Sequence, residues 1–297
     1  MHLQHYLLIL ASTINTENTK MISILEPKVI FEDDYILVLD KPSGITVNKS
    51  DTTAGEKTIQ DWVEEKFKVQ SSKFKVDEET DFYKRAGIVH RLDKETSGIL
   101  LVAKTPDAFI ELQRQFKERI VKKTYIALAH GKVTPEEGII SVPVGRLPWN
   151  RKRFGVVAGG RESVTKYKMI RYFDVGSGKM DIDSLNSRNQ DIKNSRSKTS
   201  HFSLLELYPE TGRTHQIRVH LKHIGHPIFG DALYAGRKTA RDDRKVLPRV
   251  FLHAAKISFM HPARHASMQG VAGGPTTGRQ VTFESPMPAE LQKVLDY

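Results

Sequence analysis

The sequence predicts a single mixed domain of strands and helices. Three observations carry that expectation. Apolar runs of strand length recur along the chain, amphipathic stretches of helical period lie among them, and neither an internal repeat nor a clear linker divides the ordered part. With 297 residues, 39% hydrophobic and 27% charged, the composition is that of an ordinary globular chain able to bury a core.

The elements follow in order. Residues 1–28 read as an extension. Its apolar run Tyr6 to Ala11 is too short to span a membrane, no Lys or Arg precedes it, and Ser12 to Lys20 is polar. Val29 to Asp40 reads as two strands around a turn at Glu32 to Asp34, running into the tight turn Lys41-Pro42-Ser43-Gly44. Thr58 to Phe67 has helical spacing, with Ile59, Trp62, Val63 and Phe67 on one face. Gln70 to Thr80 is polar and reads as a loop. Gly98 to Ala103 is a continuous apolar run, the mark of a buried central strand. Asp107 to Lys117 is an amphipathic helix with Phe109, Leu112 and Phe116 inward, and Tyr125 to Ala129 is a strand. Phe202 to Tyr208 and Val250 to Met260 are strands. Thr214 to His223 is a helix, with Thr211 or Thr214 as its cap and Gly225 as its stop. Two segments, 176–200 (Ser/Asn/Lys-rich) and 263–278 (Gly-rich), read as flexible insertions.

Charge and missing motifs narrow the function. Lys plus Arg number 46 against 35 Asp plus Glu, a surplus of +11 that points to a polyanion, most often nucleic acid. The absence of cysteine excludes a disulfide framework, thiolate zinc sites, iron–sulfur clusters and a Cys nucleophile, and it fits a reducing, cytoplasmic location. No phosphate-binding Gly-rich loop with Lys-Ser/Thr, no dinucleotide fingerprint and no H-E-x-x-H is present. His215, His220, His223 and His226 cluster, but their spacing mixes helix faces. They read as core-bonded, surface or RNA-facing imidazoles rather than metal ligands.

Chemistry concentrates in two segments. In His90-Arg-Leu-Asp-Lys-Glu-Thr-Ser-Gly98, Asp93 lies in a turn just before the apolar strand, with Arg91 two residues away. A carboxylate beside a fixed guanidinium stays ionised even when largely dehydrated, and such a group acts as a nucleophile or base. An ordinary ion pair beside a turn is the plainer alternative. In Thr211-Gly-Arg-Thr-His-Gln-Ile-Arg218, Arg218 borders the apolar stripe of the helix. It is either a snorkelling side chain or one that needs an anionic partner, such as Asp93 or a phosphate. Between Gly145 and Arg171 stand Arg146, Arg151, Lys152, Arg153, Arg161, Lys166, Lys168 and Arg171, against one acid, Glu162.

Together these segments resemble the RluA-type RNA pseudouridine synthases. HRLDKETSGILLVAKT at residues 90–105 is similar to that family's signature, KPSG at 41–44 to its first motif, KKTYIALAHG at 122–131 to the block with its active-site Tyr, and TGRTHQIRVHLKHIGHPIFGD at 211–231 to its third motif. FLHA at 251–254 and HP at 261–262 also match. The resemblance implies an α+β catalytic domain over residues 29–297, built on a mixed, largely antiparallel central sheet with flanking helices. The family's frequent S4-type RNA-binding module has no room before Lys41, and the two insertions depart from the family pattern.

The resemblance also implies roles. Asp93 matches the catalytic aspartate that promotes loss of uracil from the ribose C1′ so that it rejoins through C5. Arg218 matches the basic residue that keeps the aspartate charged, and Tyr125 the Tyr that stacks on the base. Arg91 matches the residue thought to assist base flipping, which isomerising a paired uridine requires. His90 and Arg213 lie in the same blocks as further RNA-binding candidates, and Arg146, Arg151, Lys152 and Arg153 are candidate phosphate contacts read from charge alone. The isomerisation needs no cofactor and no metal. The expected partner of this monomer is RNA, ribosomal or transfer, with no membrane involved. A non-catalytic RNA-binding or ribosome-assembly protein of the same fold is the main rival reading. An Asp-nucleophile phosphatase lacks a second acid and a metal site.

Overall fold

The hairpin expected near residues 29–40 is present, and it opens the first of two compact units, 1–109 and 110–297. The computed structural model describes residues 26–50, 53, 55–67, 80–175, 200–263 and 278–296. In the first unit β1 (Lys28–Glu32) pairs antiparallel with β2 (Ile36–Lys41). The Asp33 carboxylate accepts the N–H groups of Tyr35 and Ile36, both at 2.8 Å, and so sets the turn. β2 pairs antiparallel with β3 (Ser97–Ala103), whose seven residues are all buried, as a continuous apolar run requires. Helix α1 (Ile59–Phe67) starts where Thr58 and Asp61 cap each other. The Asp61 carboxylate accepts the Thr58 N–H and hydroxyl, Thr58 Oγ1 accepts the Asp61 N–H, and these donors hold the Asp61 carboxyl down at about 2. A short helix, α2 (Asp81–Lys84), precedes Ile88, which bridges to Val102 of β3. Helix α3 (Pro106–Lys117) runs across the boundary between the units.

In the second unit six strands form an antiparallel sheet: β11 (Gln280–Glu284), β10 (Leu252–Met260), β4 (Lys122–His130), β9 (Ser200–Pro209), β8 (Val164–Val175) and β5 (Glu137–Ser141), in that order. A separate two-stranded ribbon pairs β6 (Val144–Leu147) with β7 (Asn150–Val156). Three helices complete the unit: α4 (Gln216–His223), α5 (Arg237–Val246) and α6 (Ala289–Leu295). Its core joins Ala127, Leu128, Leu205 and Leu207 of the sheet to Ile217 and Leu221 of α4 and to Phe229, Phe251, Leu291 and Val294. The expected α+β class, with a largely antiparallel sheet and flanking helices, holds. The expected insertions fall, at 176–199 and 264–277, outside the described residues, as does the extension up to residue 25.

Helix α4 begins two residues later than its periodicity suggests, because His215 takes the left-handed conformation at φ 55°. Neither Thr211 nor Thr214 caps it. Instead Thr211 Oγ1 donates to the Gln216 side chain at 2.7 Å, and Gln216 Nε2 donates to Val164 O and Thr165 Oγ1 of β8, both at 3.0 Å. One turn on, the fully buried His220 completes the seam. Ser163 gives its hydroxyl proton to Val142 O at 2.6 Å, so its oxygen accepts from His220 Nε2 at 2.9 Å. His220 Nδ1 then accepts from Thr165 Oγ1 at 2.9 Å. A neutral imidazole satisfies every group, and burial pushes the ring down to about 4.

An unfolded imidazole binds a proton below about 6.5, the folded one only below about 4. Between those values the unfolded state holds more protons, so the stability from His220 is complete above pH 6.5 and declines as pH falls toward 4. By pH 5 the loss is roughly 2 kcal/mol. Urea unfolding at pH 7 and pH 5 measures it directly. The midpoint drops at pH 5 in the native chain, and the drop shrinks in His220→Gln.

Candidate active site

Asp93 lies half-buried in the connection from Ile88 to β3, and its backbone is held from several sides. Asp93 O accepts the Thr96 N–H at 3.1 Å. The next carbonyl, Lys94 O, accepts the Gly44 N–H at 2.8 Å and the Lys41 ammonium at 3.1 Å, and Glu95 O accepts the Ser43 hydroxyl at 2.8 Å. Lys41, at the end of β2, is completely buried, and its amine also donates to Pro42 O at 2.8 Å and Ile45 O at 2.9 Å. An ammonium has three donors, and three carbonyls meet them. Gly44 adopts φ 95°, a conformation that favours glycine, and so presents its N–H to the loop. The turn Lys41 to Gly44 thus clamps the segment that carries Asp93.

Of the neighbouring candidates, Arg91 is exposed. His90 is half-buried and accepts the Leu101 N–H at Nε2, 3.0 Å, which ties it to β3.

In the second unit, Tyr125 is half-buried on β4, opposite Leu207 of β9 and Ala254 of β10. Two residues earlier on the same strand, burial pushes the Lys123 amine down to about 8. Arg218 is buried and makes a two-pronged pair with the fully buried Asp231: Nε to Oδ2 at 2.8 Å and a terminal nitrogen to Oδ1 at 2.9 Å. Asp231 Oδ1 also accepts the N–H groups of Leu233 at 2.9 Å and Tyr234 at 3.1 Å. The guanidinium lies over the Tyr234 ring at 5.1 Å. Tyr234 OH bonds His215 Nδ1 at 2.8 Å and accepts the Phe154 N–H from the ribbon at 3.1 Å. Phe154 meets His215 edge-on at 5.4 Å and carries the Arg146 guanidinium on its face at 5.3 Å.

A continuous chain of rings and guanidiniums therefore links Arg146 on β6 to Arg218 on α4. Arg213 is half-buried, with Nε donating to Glu162 O at 3.1 Å, and burial together with the charges of Arg161 and Arg119 lowers its pKa. Arg153 is half-buried on β7; the side chains of Arg151 and Lys152 are outside the described ones.

Sequence reasoning assigned no role to Asp231, Tyr234 or Lys41, and it left His215 among core-bonded, surface or RNA-facing imidazoles. Lys41 and Asp231 both stood inside quoted motifs, and each had a signal. Lys41 directly follows an apolar strand, where a charge needs a reason. Asp231 follows Gly230, at φ 74°, where an added Cβ would come within 2.1 Å of Arg249 O. That glycine marks a close backbone approach that puts the next side chain inside.

Removing one partner of a buried pair leaves the other charge uncompensated, at a cost of roughly 3–5 kcal/mol. Asp231→Asn is therefore expected to lower the thermal midpoint sharply. Arg218→Lys, which keeps the charge but loses the fork, gives a smaller drop. Paired melting curves of the two variants check this.

Comparison with known proteins agrees with the geometry. The family model described as RNA pseudouridylate synthase matches residues 35–223. The Ribosomal large subunit pseudouridine synthase D of Nitrosomonas europaea is 32% identical over 292 residues, covering 97% of this chain and 70% of that protein. The protein of the same name from Pseudomonas aeruginosa is 33% identical over 275 residues, covering 90% and 70%. The solved structure of Human RNA Pseudouridylate Synthase Domain Containing 1 shares the fold at TM-score 0.58 with 24% identity, covering 89% of this chain and 84% of that one. Motifs, fold and relatives converge: the chain belongs to the RNA pseudouridylate synthase family, isomerases that act on RNA.

Proposed function

We propose that the chain converts uridine in ribosomal RNA to pseudouridine, with Asp93 as the group that attacks the nucleoside. One observation carries the reading: a half-buried carboxylate held on a loop that a buried ammonium, a serine hydroxyl and a glycine N–H clamp through its backbone. A carboxylate meant only for solvation needs no such clamp. One that must meet a ribose carbon at a defined angle does, because a reacting pair gains its rate from orientation. The printed names of the relatives favour ribosomal over transfer RNA as substrate.

In this reading Asp93 promotes departure of uracil from C1′, and the freed base turns and rejoins through C5. At the end the C5 proton passes to water and N1, now free of the sugar, takes up a proton, so the product is an isomer of the substrate. Tyr125 offers a ring for the base and a phenol for proton handling. Arg218, fixed by Asp231, supplies fixed positive charge that favours the anionic species formed as the base departs. Arg91, exposed and two residues from Asp93, fills the stack that the flipped nucleotide leaves. Arg146, Arg153 and Arg213 hold phosphates without reading sequence.

Tritium release from RNA labelled at uridine C5 tests the chemistry. Asp93→Asn is expected to abolish release while RNA binding persists; release at the native rate in that variant ends the proposal. Binding itself should weaken steeply with salt, since each neutralised phosphate frees counterions. A logarithmic plot of affinity against salt that stays flat would mean that the basic residues do not touch RNA.

A further inference from the structure

We propose that Trp149 is a stacking platform for an unpaired RNA base that flanks the target uridine, an inference that rests on the RNA-isomerase reading above. Trp149 sits in the two-residue turn, Pro148-Trp149, that joins β6 to β7. It is 79% exposed, more than any other large hydrophobic side chain among the described residues. Its neighbours Pro148 and Asn150 are exposed too. A hairpin turn is ordinarily polar, and an indole held in water there forfeits the burial that accounts for most of its value to a fold.

The ribbon that carries it has the features of a limb. It is a sheet of its own, anchored to the rest of the unit through Val144 and Phe154. Val144 exchanges both backbone hydrogen bonds with Arg161 at 2.9 Å, and the Phe154 N–H bonds Tyr234 OH. The tip beyond Phe154 and Arg146 projects by roughly two residues of strand, on the order of 7 Å. The ribbon holds no acid: from Val144 to Val156 its charged residues are Arg146, Arg151, Lys152 and Arg153. An exposed flat ring at the end of a ribbon whose charges are all cationic matches the way single-stranded nucleic acid is held, with phosphates on the cations and a base on the ring. An acidic protein partner would satisfy the charges but gives no reason for an indole at the end of the turn.

The stacked base is a neighbour and not the target. Tyr234, His215 and Phe154 lie in series between Arg218 and the ribbon strand, so the tip is separated from Arg218 by three rings. Base stacking on an indole tolerates any base, so Trp149 adds affinity and demands an unpaired nucleotide without reading sequence.

The chain has two tryptophans, Trp62 and Trp149. Trp62→Phe makes Trp149 the sole indole while keeping an aromatic ring beside Lys66. That protein is titrated with a uridine-containing RNA stem-loop and with a fully paired RNA duplex of equal length. The stem-loop is expected to quench Trp149 emission and the duplex to leave it unchanged. Trp149→Ala should weaken stem-loop binding about 10-fold. Trp149→Phe should recover most of that, and the slope of affinity against salt should be the same in all three proteins. Stem-loop binding without quenching, or Trp149→Ala within about 2-fold of the parent, overturns the proposal. Tritium release without quenching removes the platform alone. Quenching without tritium release removes the isomerase reading and leaves the platform standing.

Discussion

The pair between Arg218 and Asp231 is the interaction on which the second unit depends. Both groups are buried, and dehydrating them costs several kcal/mol each before their attraction returns anything. The cost is met by geometry. The fork of the guanidinium matches both carboxylate oxygens, and the N–H groups of Leu233 and Tyr234 supply further donors to Oδ1. Such a pair has one good arrangement, so it fixes helix α4 against the turn at residues 230–234. Tyr234 then passes that constraint to His215, and through Phe154 to the ribbon.

The first unit solves a related problem by a different route. There the restraint falls on the backbone of the loop that carries Asp93. A buried ammonium, Lys41, gathers three carbonyls from two segments of chain, one of them adjacent to Asp93. Three hydrogen bonds to carbonyls offset the cost of dehydrating the amine. In both units a buried charge is met by groups from separate segments of chain.

The buried polar seam between α4 and β8 belongs to the same logic. Gln216 and His220 are one turn apart, so both reach Thr165 of β8, and each uses its remaining hydrogen bonds on the segments beside it. The seam accounts for two of the residues in the segment HQIRVH, the ion pair for a third, and the ring network for His215. Hardly any position there is left to tolerate change.

Much of this was legible in the chain. The strands at 36–41, 97–103, 122–130, 200–209 and 252–260 and the helices at 59–67 and 106–117 follow from apolar period and flanking turns, because each buries its own face. The ribbon, β5, β8, β11 and helices α2, α5 and α6 did not show, because they are short or rich in charge, and the sheet strands among them are held by pairing with segments distant in sequence. Asp93, Tyr125 and Arg218 were named through the resemblance of their motifs, since read locally each also fitted an ordinary ion pair, a packed ring or a snorkelling side chain. The partners of Arg218 and of the Asp93 loop were not visible. Asp231 is thirteen residues from Arg218 and Lys41 fifty-three from Lys94. Local sequence determines which groups can carry charge and which faces seek burial. Only the tertiary structure decides which distant group meets which, because that choice is set by the desolvation cost of every alternative at once.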